Sequence, residues 1–210
     1  AYDLETEGLD AEKHAVFQAS LCIRRFPFQE SEPVRKIAIS TISMSDSVED
    51  FEKINVGSER ELVETFVDLV LGERVTLLCG WNNLGFDAPF LNARAKKARC
   101  LSVLQRLSFL TGPVCKVQLK QKSLTSSAFG TNVFHAYQGL HGLVEMDGLL
   151  MARKSSSLKL NSYKLNNVAR ELLKSAKDDV SYAYMVDAVR CRDPDMITRV
   201  AKYCVQDSLL

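Results

Sequence analysis

The sequence predicts an α/β fold, a mixed sheet with helices packed on it, from three observations. Apolar side chains alternate or run together in short stretches through the first 42 residues. Two clear helix-start signals follow, at Ser58 and at Asp193-Pro194. Strand-like and helix-like segments then interleave with no internal repeat, the order that stacks helices on one sheet. The 210 residues, 46% apolar and 25% charged, supply one sizeable core, so residues 1–210 are read as one domain. Disordered, collagen-like and coiled-coil classes do not have these proportions.

Residues 1–5 read as a strand, and Phe17 to Phe26 and Val34 to Ile42 as two more, punctuated by Phe26-Pro27 and Glu32-Pro33. Ser58 followed by Glu61 is a capping box, and it opens a helix to about Gly72 with Leu62, Phe66, Val67 and Val70 on one face. Val75 to Gly80 reads as a buried strand and Pro89 to Arg99 as a helix. Residues 120–141, rich in Ser, Thr, Gly and Gln, suggest a hairpin or an extended loop. Val144 to Leu150 reads as a last strand, and Tyr163 to Leu173 as a helix carrying Leu165, Val168 and Leu172. Asp193 with Pro194 starts a terminal helix, an N-cap acid before a first-turn proline.

Net charge is +1, but the distribution is uneven. Glu30 to Glu73 holds eleven acids and four bases, whereas residues 88–144 hold no acid and eight bases: Arg94, Lys96, Lys97, Arg99, Arg106, Lys116, Lys120 and Lys122. Such a tract either holds a polyanion or is a solvated basic face. The six cysteines lack C-x-x-C spacing and read as buried reduced thiols of an intracellular protein. His14, His135 and His141 lack metal-ligand spacing and read as surface or loop residues. The longest apolar runs are too short to span a bilayer, and the opening residues carry no signal-peptide pattern.

Three polar pairs stand out. Asp3 and Glu5, one residue apart on a strand, project from the same face. They form either a solvated acidic edge or a site for a divalent cation, which would relieve their repulsion; carboxylate oxygens suit magnesium or manganese. Asp87, ending Asn82-Asn83-Leu84-Gly85-Phe86-Asp87, is either a helix N-cap or a functional acid, and Asn82 either a turn residue or a functional one. Tyr203 and Asp207 share one face of the terminal helix at spacing four, beside a core stripe of Ile197, Val200, Ala201, Cys204 and Ser208.

Together, Asp3-x-Glu5, Asn82-x-x-x-Phe86-Asp87 and Tyr203-x-x-x-Asp207 resemble the Exo I, Exo II and Exo III motifs of the 3′–5′ exonuclease domain of family B DNA polymerases. The likeness is strongest to delta-like and large-DNA-virus members. Phe26 to Ala38, Val144 to Asp147 and Leu160 to Val168 look similar to the segments between those motifs. The resemblance implies a ribonuclease-H-like fold of the tyrosine-type DEDD class, with a central mixed sheet flanked by helices and the Asp3–Glu5 strand at its centre. It implies that Asp3, Glu5, Asp87 and Asp207 hold two Mg2+ or Mn2+ ions, with Asp3 shared between them, and that Tyr203 orients the attacking water. Lys177 falls where the family carries a lysine that touches the scissile phosphate, or lies in a solvated charged turn. Asn82 and Phe86 match residues that hold and stack single-stranded substrate; for Phe86 a core role is the alternative. Thr6 and Leu9 match contacts to the terminal nucleotide, and Asp147 matches a structural acid.

The function so implied is metal-dependent removal of 3′-terminal nucleotides from single-stranded or frayed DNA during replication. The alternatives are a non-catalytic DNA-binding or bracing module, which would be expected to lack some of the four acids, and a standalone trimming nuclease. With Exo I two residues from the start and Exo III near the end, the chain is expected to be a piece of a larger polymerase. Its expected partners are a DNA 3′ end, the remaining polymerase domains and, through them, a processivity factor. The expected setting is the nucleus or a viral replication site.

Overall fold

Strands fill the first quarter of the chain, with Val, Ile, Leu and Phe concentrated in the second and third of them. They are β1 (Tyr2–Thr6), β2 (Val16–Ile23), β3 (Arg35–Ser40) and β4 (Glu52–Asn55). Next come α1 (Glu59–Gly72), β5 (Leu77–Gly80), α2 (Asp87–Lys97), α3 (Leu101–Gln105), the hairpin β6 (Gln118–Ser126) and β7 (Gly130–Gln138), and β8 (Val144–Asp147). Four helices complete it: α4 (Gly148–Lys154), α5 (Leu165–Leu173), α6 (Tyr182–Cys191) and α7 (Pro194–Leu209). The computed structural model describes residues 1–25, 27, 33–110, 116–126, 130–155, 157–174 and 180–210.

The main sheet is mixed, in the order β1-β2-β3-β4, antiparallel at its first two junctions and parallel between β3 and β4. β5 and β8 form a separate parallel pair. The Asp3–Glu5 strand, expected at the centre, is therefore the end of its hydrogen-bonded ladder. The reason is local: the Leu4 N–H on its outer edge donates to Asp87 Oδ1 at 3.2 Å rather than to a strand. β5 still runs alongside. A Cβ at Gly80 would lie 2.8 Å from the Tyr2 carbonyl oxygen, an approach only glycine allows.

The sheet is covered on both faces. Tyr2, Leu4, Ala19, Leu21, Ile37 and Ile39 pack against Leu62, Val63, Phe66 and Val67 of α1 and Phe90 and Leu91 of α2. Phe17, Ala38, Ile42 and Phe51 pack against Ile197, Val200, Ala201 and Val205 of α7. Each large side chain so buried contributes roughly 1.5–3 kcal/mol relative to exposure. Because β1 alternates, Tyr2 and Leu4 enter the first core and Asp3 and Glu5 are directed to the α7 side.

Local signals account for most boundaries. Ser58 Oγ accepts from Glu61 N at 3.2 Å, and Glu61 Oε2 reaches back to Gly57 N, one residue before the N-cap, at 2.8 Å, a variant of the capping box. Asp193 caps α7 through the Asp195 and Met196 amides. The expected strand 144–150 stops at Asp147, because that carboxylate caps α4 through the Leu149 and Leu150 amides. β4, α3, α4 and α6 were not expected from the sequence. β4 carries one apolar residue, Ile54, and is held by pairing with β3 and by Arg35, bonded to Glu52 at 2.8 Å.

Among the described residues Cys22, Cys79, Cys100, Cys191 and Cys204 are free thiols, with Cys191 exposed rather than buried; Cys115 lies outside them. His135 sits within strand β7 and not in a loop. Among the described residues no helix is long and apolar enough to cross a membrane.

Candidate active site

Three elements converge where β1 meets α7. Helix α7 is fixed to the sheet by polar bonds as well as by its apolar stripe: Gln18 Nε2 donates to the Ile197 carbonyl at 2.9 Å and Ser20 Oγ to the Cys204 carbonyl at 2.8 Å. Ser20 is directly opposite Asp3 in the β1/β2 register, so these bonds set α7 over the Asp3 side chain. The two residues at the middle and end of that helix face, Cys204 and Asp207, arrive with it.

The third contribution comes from the turn between β5 and α2. Asn82 adopts φ 60°, in the left-handed region, and its carbonyl accepts from the Gly85 and Phe86 amides at 2.9 Å each. Asp147 holds this turn from the neighbouring strand, accepting from Asn82 N and Leu84 N at 3.1 Å each. Asp147 is thus a structural acid, as read from the sequence. Asp87 is the first helical residue and not the N-cap. Its side chain accepts from the Leu4 amide at 3.2 Å.

The carboxylates share one electrostatic neighbourhood. Burial pushes the Asp3 carboxyl well above the usual range, and Asp87, Glu5 and Asp207 push it further. Burial likewise raises Asp87 to about 7, against the lowering effect of its own and the Leu4 N–H, with Asp147 and Asp207 adding to the rise. A ligand atom each of Asp3, Glu5 and Cys204 lie within 4.8 Å of one another. Hard carboxylate oxygens crowded until they repel are the donor set a divalent cation such as Mg2+ or Mn2+ fits, because the cation removes the repulsion.

A sign follows for the metal-free chain. Asp87 binds its proton more tightly folded than unfolded, so the stability it contributes is complete below its unfolded value and is lost as pH rises to about 7. Asp87→Asn escapes that loss. Its melting temperature relative to wild type should climb between pH 5 and pH 8 in the presence of a chelator; a constant difference would refute the raised carboxyl.

The remaining sequence-predicted residues are placed as follows. Tyr203, one turn before Asp207, is half-buried, packs against the second core and lines a cleft of about 390 Å³ with Ser45, Glu49, Arg199 and Gln206. Thr6 follows a bulge in β1 and donates through Oγ1 to the Gly8 carbonyl at 2.9 Å. Leu9, 81% exposed, stands in the loop beyond it. Asn82 is exposed on a groove of about 710 Å³ shared with Trp81, Arg153, Tyr163 and Lys164. Phe86 is half-buried and leans on the first core, its ring 5.3 Å from that of Phe90. Lys177 lies outside the described residues.

The basic tract is not one surface. Arg94 is buried against Glu59 at 2.6 Å, Lys97 donates to the Glu12 carbonyl, and Arg106 pairs with Asp68 at 2.7 Å. Lys116, Lys120 and Lys122 are exposed. The residue that sequence reasoning missed is Cys204, read only as a core thiol. The signal was present, since it lies between Tyr203 and Asp207 on the helix that covers β1.

Comparison with known proteins bears on this geometry. The family model for the exonuclease domain of DNA polymerase family B matches residues 1–168. The DNA polymerase catalytic subunit of Epstein-Barr virus (strain B95-8) is 27% identical over 217 residues, 100% of this chain and 20% of that protein. The DNA polymerase delta catalytic subunit of Plasmodium falciparum is 27% identical over 220 residues, 100% of this chain and 19% of that protein. The DNA polymerase of Red sea bream iridovirus is 26% identical over 158 residues, 73% of this chain and 15% of that protein. The chain spans about a fifth or less of the length of these relatives.

Proposed function

The chain belongs to the exonuclease-domain family of the family B DNA polymerases, and from that premise we propose that it hydrolyses the terminal phosphodiester of single-stranded or frayed DNA from the 3′ end. In this reading it edits the product of a DNA-directed DNA polymerase. The observation that carries it is the pairing of Asp3 and Glu5 on the β1 face that meets α7, with Asp87 and Asp207 near enough to raise the Asp3 carboxyl. The sheet order β3-β2-β1, with the β5–β8 pair beside β1, supports a ribonuclease-H-like fold.

Two Mg2+ or Mn2+ ions held by the four carboxylates would supply charge neutralisation at the scissile phosphate and the leaving 3′ oxygen. The residues of the chain do the rest. Asp3, on the face of β1 that meets α7, would be the acid common to both ions, Glu5 and Asp207 would help to hold one of them, and Asp87, anchored on the Leu4 amide, would help to hold the other. The Tyr203 hydroxyl orients the attacking water. Thr6 and exposed Leu9 meet the terminal nucleotide, and Asn82 with Phe86 receives the strand behind it. Selectivity arises before chemistry, because a mismatched end unpairs at lower cost and reaches the site more often. The partners proposed are a DNA 3′ end, the synthesis domains of the parent polymerase and its processivity factor, in a nucleus or at a viral replication site.

With Mg2+, DNA labelled at its 5′ end should shorten to a ladder that grows from the 3′ end, and chelation should stop it. Oligonucleotide left intact in both Mg2+ and Mn2+, by chain that melts cooperatively, would overturn the reading. Binding should also be salt-sensitive through Lys116, Lys120 and Lys122. The slope of log affinity against log salt should fall by roughly 0.7 for each of these lysines removed. An unchanged slope in the triple alanine variant would return the tract to a solvated face.

A further inference from the structure

Cys204 is fully buried on the face of α7 that covers β1. Its Sγ lies 3.6 Å from Asp3 Oδ2, 3.6 Å from the Asp3 carbonyl oxygen and 3.3 Å from Ser20 Oγ. A thiol has one proton to give, so these three acceptors compete.

The protons can be counted. Ser20 Oγ sends its proton to the Cys204 carbonyl at 2.8 Å, and the Ser208 hydroxyl stands 2.6 Å from Ser20 Oγ. With its own proton committed, Ser20 accepts from Ser208 and keeps a second lone pair, so Ser20 and Asp3 differ as acceptors in strength and not in vacancy. Asp3 Oδ2 is a carboxyl oxygen, and in the ionised form that meets a cation it draws a stronger bond than a hydroxyl does. The thiol proton therefore goes to Asp3. The Ser20 bond to the Cys204 carbonyl holds the donor in place from behind.

We infer that Cys204 is a positioning residue whose thiol hydrogen-bonds Asp3 Oδ2 and fixes the direction in which the Asp3 carboxylate meets a divalent cation. This rests on the proposed cation site. It adds a group that is neither one of the four acids nor Tyr203, and that acts through Asp3 alone. Groups that orient a ligand in this way typically change metal affinity or activity by roughly 10–100-fold when removed.

Two measurements test it, and one of them needs no cation. In the infrared spectrum of the metal-free chain, the S–H stretch assigned to Cys204 by its loss in Cys204→Ala should lie below those of the other thiols. It should move up in Asp3→Ala, where the carboxylate acceptor is gone. A band that stays put in Asp3→Ala overturns the inference. In the second, Mn2+ titrated into the 210-residue chain and followed by electron paramagnetic resonance should bind about 10-fold more weakly to Cys204→Ala, with kcat falling and KM for DNA unchanged. Wild-type affinity in that variant overturns the inference. Should Cys204→Ala fail to fold, Cys204→Val, which fills the space without a donor, takes its place in both measurements. Wild-type chain that takes up no Mn2+ overturns the site itself, and the inference with it, whatever the S–H band does.

Discussion

Replacing Asp3 and Glu5 together with alanine is expected to reduce release of 3′-terminal nucleotides to background in either Mg2+ or Mn2+. Both side chains leave the β1 face that meets α7, so two of the four proposed ligands disappear together. The loss need not come with unfolding. In metal-free solution near pH 8 these acids repel Asp87 and Asp207, and Asp3 is held against burial, so the variant should melt at or above the wild-type temperature. A stable protein that no longer shortens DNA is thus the expected pair of results. Digestion at the wild-type rate would end the catalytic account.

The largest expected loss of stability lies far from the carboxylates. Glu59, the first residue of α1, accepts from Arg94 Nε at 2.8 Å and Nη2 at 2.6 Å and from the Val16 amide at 2.8 Å. Arg94 also donates to the Ala11 carbonyl at 3.0 Å, so one guanidinium joins α1, α2 and the loop after β1. Both side chains are largely shielded, at 10% and 14% exposure. Glu59→Ala leaves that cation buried without its partner and should cost about 3–5 kcal/mol in urea unfolding. Surface pairs such as Arg60–Glu64 should cost less than about 1 kcal/mol by the same measurement. A Glu59→Ala penalty in that lower range would mean that Arg94 finds water or another acid.

What the sequence made legible follows from how local each signal is. The α1 capping box and the Asp193-Pro194 start of α7 are complete within four residues, and both helices begin where those residues put them. The three motifs name Asp3, Glu5, Asp87 and Asp207, of which Glu5, Asp87 and Asp207 all act on the Asp3 carboxyl. β4 and α6 were missed for the opposite reason. Residues 52–55 become a strand only because β3 offers an edge, and α6 rests on a Ser181 cap without a strong apolar repeat. The β1 edge position was misplaced because the Leu4 amide is satisfied by a side chain 83 residues away. Arg94 shows the same limit in charge: counted along the chain it joins a basic tract, and in space it belongs to Glu59.

The same separation gives the meeting of β1 and α7 a thermodynamic role. Residues 3 and 207 can be neighbours only when nearly the whole polypeptide has closed on itself, a single loop whose ordering entropy no short-range contact offsets. A ligand that grips both ends therefore favours the closed chain as a whole by mass action, by about 2.7 kcal/mol at a hundred times its dissociation constant. Hydrogen exchange should accordingly slow in α1 and β3, well away from the acids, as readily as in the strand that carries them.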